Sequence, residues 1–581
     1  MTNAGEDAAE SREDTTPEAE LAALLAAAEP TAPRRLGELI ERLEASGRFR
    51  TVRPVKPDLS ARAGRAAAEG SAVAPKGIGS LPIRGLTFDS RHVSASSIFV
   101  AVAGAHSDGH DFVAAAAAQG AAAAIVERAI DGVALPQIVV DDTRLSLATA
   151  AAWWYGDPSR EMGVIGITGT DGKTTTSFLA TAVLEAAGIS VGLTTTAGLK
   201  IGPIRTANAE HVTTPEAPEL QKTLRAMAEA GNEAAIVETT SHGLALHRVD
   251  EVAYDIGIFT NLTHEHLELH GTFEAYRSAK LSLFERLGAE TGRKRLGRDW
   301  PCVAIINAQD PAAPLFMVAA QDAGADVITY GETAIADVRA TEIEEGPLGL
   351  RLRVATSRWT AQVQLQLFGR FNALNALAAI ALGEALDLDP AAIRAGIEGL
   401  SGVPGRMERV DCGQPFGVVV DYAHSPASLQ KVLETLEPVA RAGGGGLIAV
   451  FGSAGERDVQ KRPMMGRVAA ERCRLVVVAD EDPRGEESGK ILDEIAAGAR
   501  EAGAREGETI LRIADRASAI AAAFERARPG DVVLLAGKGH EQTIIMADGP
   551  MPWNERSEAV RALRNLGFRA TEPSTPSQGR Q

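Results

Sequence analysis

Residues 164–176 combine the chemical groups that phosphate binding requires. The apolar run 164–167 is typical of a buried strand, a Gly-rich turn follows it, and Lys173 with three threonines opens an apolar-periodic helix. Backbone N–H groups of such a turn can surround phosphate oxygens, the lysine adds positive charge, and the hydroxyl of Thr174 can reach Mg²⁺. The turn is not a strict Walker A loop, because Ile167 replaces its first glycine. The pattern predicts a nucleotide-binding site.

Other reactive side chains follow apolar runs in the same region. Glu238 ends the run 235–237, and a carboxylate near a phosphate loop is well placed to hold Mg²⁺; the alternative is a helix-capping or solvated glutamate. Three histidines and two glutamates crowd 264–270, where the lack of a thiolate and of HExxH spacing argues against zinc. Lys280 falls on a predicted helix over 273–284 and, taken alone, would be a solvated surface lysine.

Charge and cysteine content exclude several classes of protein. The net charge of −18, from 59 Lys and Arg against 77 Asp and Glu, argues against nucleic acid or an anionic membrane as the main partner. The three cysteines lack ligand-like spacing, which indicates a reducing cytoplasm and no disulfides. The N-terminus is acidic rather than signal-like, and the Ala-rich run 112–126 is too short and weakly apolar to span a bilayer. The sequence predicts a cytoplasmic protein without membrane insertion.

The elements that must position these residues alternate along the chain. Short apolar runs and helical stretches predict an α/β protein with parallel sheets in three domains, at 81–158, 159–400 and 401–570. Residues 1–80 are expected to form an N-terminal extension that is partly disordered, with ordered structure starting near Leu81, and 571–581 to form a polar tail. In the last domain, polar segments after four strands are expected to wall one ligand site: 421–424, 452–457, 480–484 and 537–541.

Taken together, these residues resemble the Mur ligases of peptidoglycan synthesis, and most closely the E-type. Those enzymes join a diamino acid to UDP-N-acetylmuramoyl-L-alanyl-D-glutamate. The resemblance extends over about residues 81–568, and its motifs follow the family's order. They are Asp89-Ser90-Arg91, the phosphate loop, Thr213-Thr214-Pro215, and residues 238–242, 261–271, 369–372, 404–408, 421–426 and 537–541.

The resemblance implies the architecture and the catalytic groups. It implies a UDP-sugar-binding domain, a central P-loop-type parallel-sheet ATPase domain and a Rossmann-like C-terminal domain that binds the amino acid. ATP and Mg²⁺ are implied as cofactors, together with CO₂ that would convert Lys280 into a metal-binding carbamate. Because carbamylation needs an uncharged amine, Lys280 is expected to be at least partly desolvated. The implied catalytic residues are Lys173, Glu238, His266 and Lys280, of which the last three would bind metal together with Thr174.

The resemblance also implies which residues bind each substrate. ATP would contact Gly169, Thr170, Asp171, Gly172, Lys173, Thr174 and Thr175, with Asn372, Arg406 and Asp421 reaching it across a domain interface. The UDP-muramoyl-dipeptide would contact Ser90, His106, Ser107, Thr213, Thr214, Thr240 and Arg248. The amino acid substrate would contact Arg457, Asp482, Pro483, Arg484, Gly537 and Glu541.

Some positions depart from the family's pattern. Asp171 replaces the usual Asn of the phosphate loop, and Ser96 stands where Gly is usual, but neither change removes a catalytic group. At the amino acid site, Arg484 favours a substrate carboxylate, as in meso-diaminopimelate. Asp482, in place of the usual Asn, favours a terminal ammonium, as in L-lysine or L-ornithine. These signals oppose each other, so the sequence leaves the diamino acid undecided.

The activity that the resemblance implies is amide synthesis through an acyl phosphate, with the nucleotide sugar and a diamino acid as partners and the chain as a monomer. One alternative is a Mur-type ligase that adds D-alanyl-D-alanine or resembles folylpolyglutamate synthase. A second is a P-loop kinase or NTPase, against which Lys280 argues. A third is a non-catalytic paralogue, against which the intact residues Lys173, Glu238, His266 and Lys280 argue.

Overall fold

The computed structural model describes residues 16–53, 77–104, 107–208, 212–263, 267–288, 296–346 and 349–569. The chain divides into two compact units. The first contains the described residues up to Thr206, Val212–Val338 and Ala378–Ile393. The second contains Ala207 and Asn208, the described residues of Arg339–Leu377 and those from Arg394 onward. No helix in the described segments is both long and apolar enough to cross a membrane.

The first unit begins with a five-stranded sheet of order β2-β7-β6-β5-β4. The strands β4 to β7 are parallel, and β2 pairs antiparallel with β7 at the edge. The elements are α1 (Pro17–Ala27), β1 (Arg34–Arg35), α2 (Leu36–Ala45), β2 (Phe49–Arg53), β3 (Pro82–Ile83), β4 (Gly85–Thr87), β5 (Ser97–Val100), α3 (Val113–Ala118), β6 (Ala123–Val126), β7 (Gln137–Val140) and α4 (Thr143–Tyr155).

The prediction that ordered structure starts near Leu81 is wrong. Helix α2 repeats leucine or isoleucine at i, i+3, i+4 and i+7, and these side chains are buried in the core of the first sheet. Strand β2 extends that sheet, and α1 packs against the core of the next domain through Leu21. The short apolar runs of this segment are individually weak signals, because each element depends on a surface formed by distant residues. Residues 1–15, 54–76 and 570–581 lie outside the described residues.

Ion pairs hold α2 and the turn after it against the central domain. Arg42 pairs with Asp157 at 2.6 Å and with Glu251 at 3.0 Å, and Arg48 contacts the other oxygen of Glu251 at 3.0 Å. Thr149 on α4 also donates to Glu251 at 2.9 Å. Glu251 follows the segment that contains Arg248, so the N-terminal helix contacts the region of a predicted substrate-binding residue.

The backbone conformation of Ser96 explains why glycine is usual at this position. Its φ of 65° lies in the left-handed region, where a side chain costs about 1–2 kcal/mol. Backbone hydrogen bonds fix this conformation, because Ser96 N–H donates to Gly120 and its carbonyl accepts from Arg84. The substitution therefore affects a turn next to β5 and not a binding group.

The central domain is a second sheet with strand order β11-β10-β9-β12-β8-β13-β14-β15. Strands β9, β12, β8, β13, β14 and β15 are parallel, so their carboxyl ends lie at one edge. The elements are β8 (Gly163–Thr168), α5 (Lys173–Ala186), β9 (Val191–Thr194), β10 (Leu199–Ile201), β11 (Ile204–Thr206), α6 (Ala217–Glu229), β12 (Ala234–Glu238), α7 (Ser241–Ala245), β13 (Ile256–Phe259), α8 (Leu267–His270), α9 (Phe273–Glu285), β14 (Val303–Asn307), α10 (Ala313–Asp322) and β15 (Asp326–Gly331).

The second unit contains an antiparallel hairpin series and a six-stranded sheet. The series is β16 (Val338–Gly346), β17 (Gly349–Ala355) and β18 (Thr360–Leu365), which the sequence analysis did not predict. Helices α11 (Asn372–Ala385) and α12 (Pro390–Gly399) follow, and each contains residues of both units. The sheet has the order β19-β20-β24-β21-β22-β23, with β20, β24, β21, β22 and β23 parallel.

The six-stranded sheet is covered by helices on both faces, which bury two separate apolar clusters. This arrangement confirms the prediction of a Rossmann-like C-terminal region. Its elements are β19 (Glu408–Arg409), β20 (Gly417–Asp421), α13 (Pro426–Ala442), β21 (Leu447–Phe451), α14 (Lys461–Arg472), β22 (Cys473–Val478), α15 (Ser488–Glu501), β23 (Ile510–Arg512), α16 (Arg516–Glu525), β24 (Val532–Ala536), β25 (Thr543–Met546), β26 (Gly549–Pro552) and α17 (Glu555–Asn565).

We expect Leu39→Ala to destabilise the first unit by about 2–5 kcal/mol, because Leu39 is completely buried and the smaller side chain leaves a cavity. The thermal unfolding midpoint measures the effect. The matched control is Glu41→Ala on the exposed face of the same helix, which should leave the midpoint unchanged. Equal midpoints for the wild type and Leu39→Ala would contradict the assignment of α2 to this core.

Candidate functional site

The phosphate loop connects β8 to α5, as the sequence predicts. Gly169 has a φ of 148°, and a Cβ atom there would lie 1.9 Å from Thr260 Oγ1, so only glycine fits. Gly172 has a φ of 83° and forms the N-cap of α5, whose first turn contains Lys173, Thr174 and Thr175. The loop thus ends in a helix N-terminus, the part of a helix that attracts anions.

The segment after β13 holds the phosphate loop in shape. The N–H of Thr170 donates to the Asn261 carbonyl at 2.8 Å, and that of Asp171 donates to Asn261 Oδ1 at 3.0 Å. The Asp171 carbonyl accepts from Thr260 Oγ1 at 2.7 Å. The loop therefore uses Asp171 through its backbone, while the side chain is exposed. This geometry explains how the loop accommodates aspartate in place of asparagine.

Two lysines meet at the carbonyl of Gly169. Lys173 Nζ donates to the carbonyls of Gly169 at 3.1 Å and Thr170 at 2.8 Å, and Lys280 Nζ donates to Gly169 at 2.6 Å. Lys280 is 1% exposed and lies 4.6 Å from the ring centroid of Tyr276. The expectation that Lys280 is desolvated is confirmed, and the surface-lysine alternative is wrong, because α9 turns it towards the phosphate loop.

Glu238 lies at the centre of a group of threonines. Its two carboxylate oxygens accept from Thr174 Oγ1 at 3.1 and 3.0 Å. It also accepts from the Thr196 N–H at 3.0 Å, and its side chain is buried. Glu238 is therefore neither a solvated nor a helix-capping residue, and its carboxylate contacts the first turn of the helix after the phosphate loop.

The residues predicted to bind the muramoyl-dipeptide lie beside Glu238. Thr214 Oγ1 donates to the Glu238 carbonyl at 2.9 Å and lies 3.0 Å from Thr240 Oγ1. Arg248 Nη1 donates to the Thr214 carbonyl at 2.8 Å. The hydroxyl of Thr213 joins this group through Thr196. The structure thus brings Thr213, Thr214, Thr240 and Arg248 together at the edge that also holds Thr174.

The oxygens of Thr174 and Glu238 are ligands that Mg²⁺ accepts. A carboxylate has about four acceptor positions, so Glu238 can retain its donors and still coordinate a cation. No group of three or more His, Cys, Asp or Glu side chains suited to a metal occurs within the described ranges. His266, predicted as a further ligand, lies outside them, as does His106 of the UDP site.

The other residues predicted to contact the UDP moiety lie in loops of the first sheet. Ser90 begins a short 3₁₀ turn after β4, and its carbonyl accepts from Gln119 Nε2 at 3.1 Å. Ser107 is exposed, and its carbonyl accepts from Gly104 N–H at 2.9 Å.

In the second unit, the four polar segments meet at one edge of the sheet, as predicted. They follow β20, β21, β22 and β24, which are parallel. Gly455 N–H donates to the Asp482 carbonyl at 2.8 Å, and Tyr422 OH donates to Glu541 at 3.2 Å. Gly537 has a φ of 101°, and a Cβ atom there would lie 2.6 Å from Glu481 Oε2. The four polar loops therefore contact one another at this edge, as the sequence predicts, and the ligand site that they would form stays a prediction.

A buried lysine pairs with Asp482. Lys538 is 0% exposed, and its Nζ contacts Asp482 Oδ1 at 2.8 Å and also pairs with Glu541. The same oxygen of Asp482 accepts from Ile545 N–H at 2.8 Å. Asp482 therefore has a cationic partner and a hydrogen-bond donor within the protein, and it shares the cation with Glu541.

Arg484, unlike Asp482, has no partner at its Nε within the part of the chain that the structure describes, and its backbone is held by a hydrogen bond. Its φ of 55° is in the left-handed region, and its N–H donates to the Ile545 carbonyl at 2.9 Å. Its Nε is buried and has no hydrogen-bond partner among the described residues. The preceding Pro483 is buried, whereas Arg457 is exposed on the loop after β21. A buried guanidinium N–H without an acceptor fits a carboxylate ligand.

The residues predicted to reach ATP from the second unit have fixed conformations. Asp421 accepts from the N–H groups of Met407 and Ala423, each at 2.8 Å, and burial raises the pKa of its carboxyl despite the nearby Arg406. The Arg406 guanidinium lies 5.0 Å from the centroid of the Tyr422 ring. Asn372 is buried at the start of α11, where its Nδ2 donates to the Phe368 carbonyl at 2.6 Å.

Two residues that contact the site, Thr196 and Lys538, have no role in the predictions made from the sequence. Thr196 is one of several threonines after β9, and the polar run that follows the strand is the only signal of its position. Lys538 occurs in the 537–541 segment, but its burial between two carboxylates depends on the neighbouring strand-end loops.

Three models of Mur ligase domains match the chain. The Mur ligase family catalytic domain matches residues 82–155, the Mur ligase middle domain matches 167–383, and the Mur ligase glutamate ligase domain matches 405–539. These matches include the parallel strands of the first sheet, the phosphate loop with Glu238 and Lys280, and all strands of the six-stranded C-terminal sheet.

Relatives of known name match most of the chain. A UDP-N-acetylmuramyl-tripeptide synthetase of Roseiflexus sp. is 48% identical over 84% of this chain and 95% of its own. A UDP-N-acetylmuramoyl-L-alanyl-D-glutamate–2,6-diaminopimelate ligase of Geobacter metallireducens is 40% identical over 84% and 95%. The solved structure of another such 2,6-diaminopimelate ligase is 30% identical, with a TM-score of 0.60 over 86% of this chain and 98% of its own. The chain therefore belongs to the Mur ligase family of ATP-dependent ligases.

Proposed function

We propose that this chain adds a diamino acid to UDP-N-acetylmuramoyl-L-alanyl-D-glutamate. The observation that carries the proposal is the position of Glu238. Its carboxylate contacts Thr174 of the phosphate loop, and its backbone carbonyl contacts Thr214 of the predicted dipeptide site. A nucleotide phosphate and a peptide carboxylate bound to these two groups would be neighbours. The names of the relatives described above support the same reaction.

Mg²⁺, bound by Thr174 and Glu238 with His266 as a further predicted ligand, would neutralise charge on the phosphates of ATP. The chain's own groups do the rest of the positioning. Backbone N–H groups of residues 169–172 would surround the phosphates, and Lys173 would leave its carbonyl partners to contact the oxygens of the transferred group. Thr213, Thr214 and Arg248 would hold the muramoyl-dipeptide so that its D-glutamyl carboxylate is oriented for attack on the γ-phosphate.

The reaction then requires two displacements. The D-glutamyl carboxylate oxygen forms a bond to the γ-phosphorus as the bond to ADP breaks, which gives an acyl phosphate. The amine of the diamino acid attacks the acyl carbon, phosphate leaves, and the amine loses a proton to give the amide. Exclusion of water would protect the acyl phosphate from hydrolysis.

We further propose that Lys280 acts as its carbamate. Complete burial disfavours the charged ammonium, and the uncharged amine is the form that reacts with CO₂. A carbamate at Nζ keeps one N–H, which can still donate to the Gly169 carbonyl, and adds two oxygens that suit a second Mg²⁺.

The diamino acid that the site favours is meso-diaminopimelate. Lys538 and Ile545 N–H already bind Asp482 Oδ1, so this carboxylate is a weak attraction for a substrate ammonium. Arg484 Nε has no acceptor among the described residues, so this guanidinium is suited to the distal carboxylate of diaminopimelate. Two of the relatives described above carry 2,6-diaminopimelate in their names, which supports this choice.

We also propose that the chain works in the cytoplasm, because its substrates, ATP and a nucleotide sugar, are cytoplasmic metabolites. Action as a monomer and the absence of nucleic acid partners stay predictions from the sequence. Gel filtration of the purified chain with and without ATP would test the first of these.

The first test measures phosphate release from ATP with the UDP-muramoyl-dipeptide and, separately, meso-diaminopimelate, L-lysine or L-ornithine. We expect turnover only when all three substrates are present, with kcat/KM for meso-diaminopimelate at least about tenfold higher than for the others, because one charged hydrogen bond is worth this much. Mass spectrometry of the product identifies the amino acid added. A preference for lysine or ornithine would show that Asp482 dominates, and no turnover would contradict the proposed function.

Arg484→Gln should raise the KM for meso-diaminopimelate about 10- to 100-fold, because it removes the cation that faces the distal carboxylate. The KM values for ATP and for the nucleotide sugar should not change. Arg505→Gln, at an exposed position of the same unit, is the control and should have wild-type kinetics. An unchanged KM for diaminopimelate in Arg484→Gln would remove Arg484 from the amino acid site.

Lys280→Ala should lower kcat by about 10²–10³-fold, the usual loss when a group that stabilises transition-state charge is removed. Added formate or acetate should restore part of the rate, because a free carboxylate can replace the carbamate oxygens. The exposed Lys490→Ala serves as control. Full activity of Lys280→Ala, or no rescue by any small carboxylate, would contradict the carbamate role.

A further inference from the structure

We propose that Thr196 is a positioning residue that couples the binding of ATP and Mg²⁺ to the binding of the UDP-muramoyl-dipeptide, the acceptor of the phosphoryl group. The inference rests on the proposed function and concerns a residue to which neither the sequence motifs nor that proposal gives a role. It depends on a continuous set of hydrogen bonds from Glu238 through Thr196 to Thr213.

The fold places Thr196 between the two sites. Strand β9 ends at Thr194 and pairs in parallel with β12, which ends at Glu238, so the segments after both strands lie at the same edge. The N–H of Thr196 is 3.0 Å from Glu238 Oε2, and its Oγ1 is 3.3 Å from both oxygens of that carboxylate. On its other side, Thr196 Oγ1 is 2.8 Å from Thr213 Oγ1. One side chain thus contacts a predicted metal ligand and a predicted acceptor-binding residue.

The Thr196 hydroxyl has one proton, which it shares between Glu238 at 3.3 Å and Thr213 Oγ1 at 2.8 Å. An ionised carboxylate only accepts, so in the arrangement that we propose the Thr196 hydroxyl donates to Glu238. In that arrangement the oxygen of Thr196 accepts the proton of Thr213. The lone pairs of the Thr213 hydroxyl then face the bound UDP-muramoyl-dipeptide. This position therefore favours an N–H or O–H group of the dipeptide.

This pattern of hydrogen bonds makes the binding of ATP with Mg²⁺ and the binding of the UDP-muramoyl-dipeptide interdependent. A divalent cation on Glu238 and Thr174 favours one orientation of the carboxylate, and Thr196 holds that orientation with both its N–H and its O–H. Residues that orient a metal ligand in this way typically change metal affinity about 10- to 100-fold when mutated. Thr213 depends on the same hydroxyl of Thr196, so nucleotide binding would fix Thr213 in the conformation that binds the UDP-muramoyl-dipeptide. Binding of the dipeptide would in turn strengthen nucleotide binding by the same factor.

The Thr196 hydroxyl is not needed to form its own loop. The turn is closed by Thr195, whose N–H donates to the Gly198 carbonyl at 2.9 Å and whose Oγ1 accepts from Gly198 N–H at 3.0 Å. Removing the hydroxyl at 196 should therefore leave the turn in place. This separation allows a test in which folding and coupling are measured independently.

The experiment compares Thr196→Val, which keeps the shape of the side chain and loses the hydroxyl, with Thr196→Ser, which keeps the hydroxyl. Thr223→Val is a matched control, since it removes a buried hydroxyl that donates to the Glu219 carbonyl within α6. Calorimetry gives the Kd of the UDP-muramoyl-dipeptide with and without Mg²⁺ and a non-hydrolysable ATP analogue, and the ratio of the two Kd values is the coupling factor. Thermal unfolding is measured for each variant.

We expect the nucleotide analogue to tighten acceptor binding about 5- to 100-fold in the wild type, the range of typical coupling between sites. Thr196→Val should bring this factor close to one, while Thr196→Ser and Thr223→Val keep it. Three results would overturn the inference. They are a coupling factor of one in the wild type, an unchanged coupling factor in Thr196→Val, and loss of the coupling factor in Thr196→Ser. A wild type that binds nucleotide but no acceptor would instead overturn the proposed function, and the inference with it.

Discussion

The candidate site of the first unit depends on the close approach of the phosphate loop to the segment that follows β13. Gly169 has no side chain because Thr260 occupies that space, and the carbonyls and N–H groups of the loop pair with Thr260 and Asn261. This contact leaves the Gly169 carbonyl turned towards Lys173 and Lys280. The loop is therefore already folded into its binding shape by interactions within the protein, and a phosphate would not have to supply the energy for ordering it.

Local charge arrangement matters more in this protein than overall charge. The chain carries a net charge of −18, yet the proposed substrates are polyanions. In the first unit, Lys173 and a helix N-terminus provide positive potential at short range, where screening by salt is weakest. In the second unit, Lys538 binds Asp482 and Glu541, so that a cluster rich in carboxylates is less negative than its composition suggests.

Much of this structure could be predicted from the sequence, because its strands are continuous apolar runs and its motifs follow them directly. The strands that end at Thr168 and Glu238 extend the predicted apolar runs 164–167 and 235–237 by one residue at each end. The hairpin series β16–β18 has no continuous apolar run, and its signal is the alternation of buried Leu350, Leu352 and Val354 with two exposed arginines in β17. The burial of Lys280 was inferred only from the family resemblance, because nothing local in α9 distinguishes it from a surface lysine. Contacts such as Thr196 to Glu238 and Lys538 to Asp482 join residues 42 and 56 positions apart, and only the sheet brings them together.

The position of β2 has a consequence for how the chain can be shortened. Strand β2 pairs with β7 and forms the outer edge of the first sheet, while α2 covers its core. A chain that began at Leu81, where motif analysis alone would place the start, would leave the backbone of β7 unpaired and a leucine-lined surface open to water. Exposed sheet edges of this kind recruit strands from other molecules, so the shortened protein would self-associate into aggregates even though every motif residue was retained.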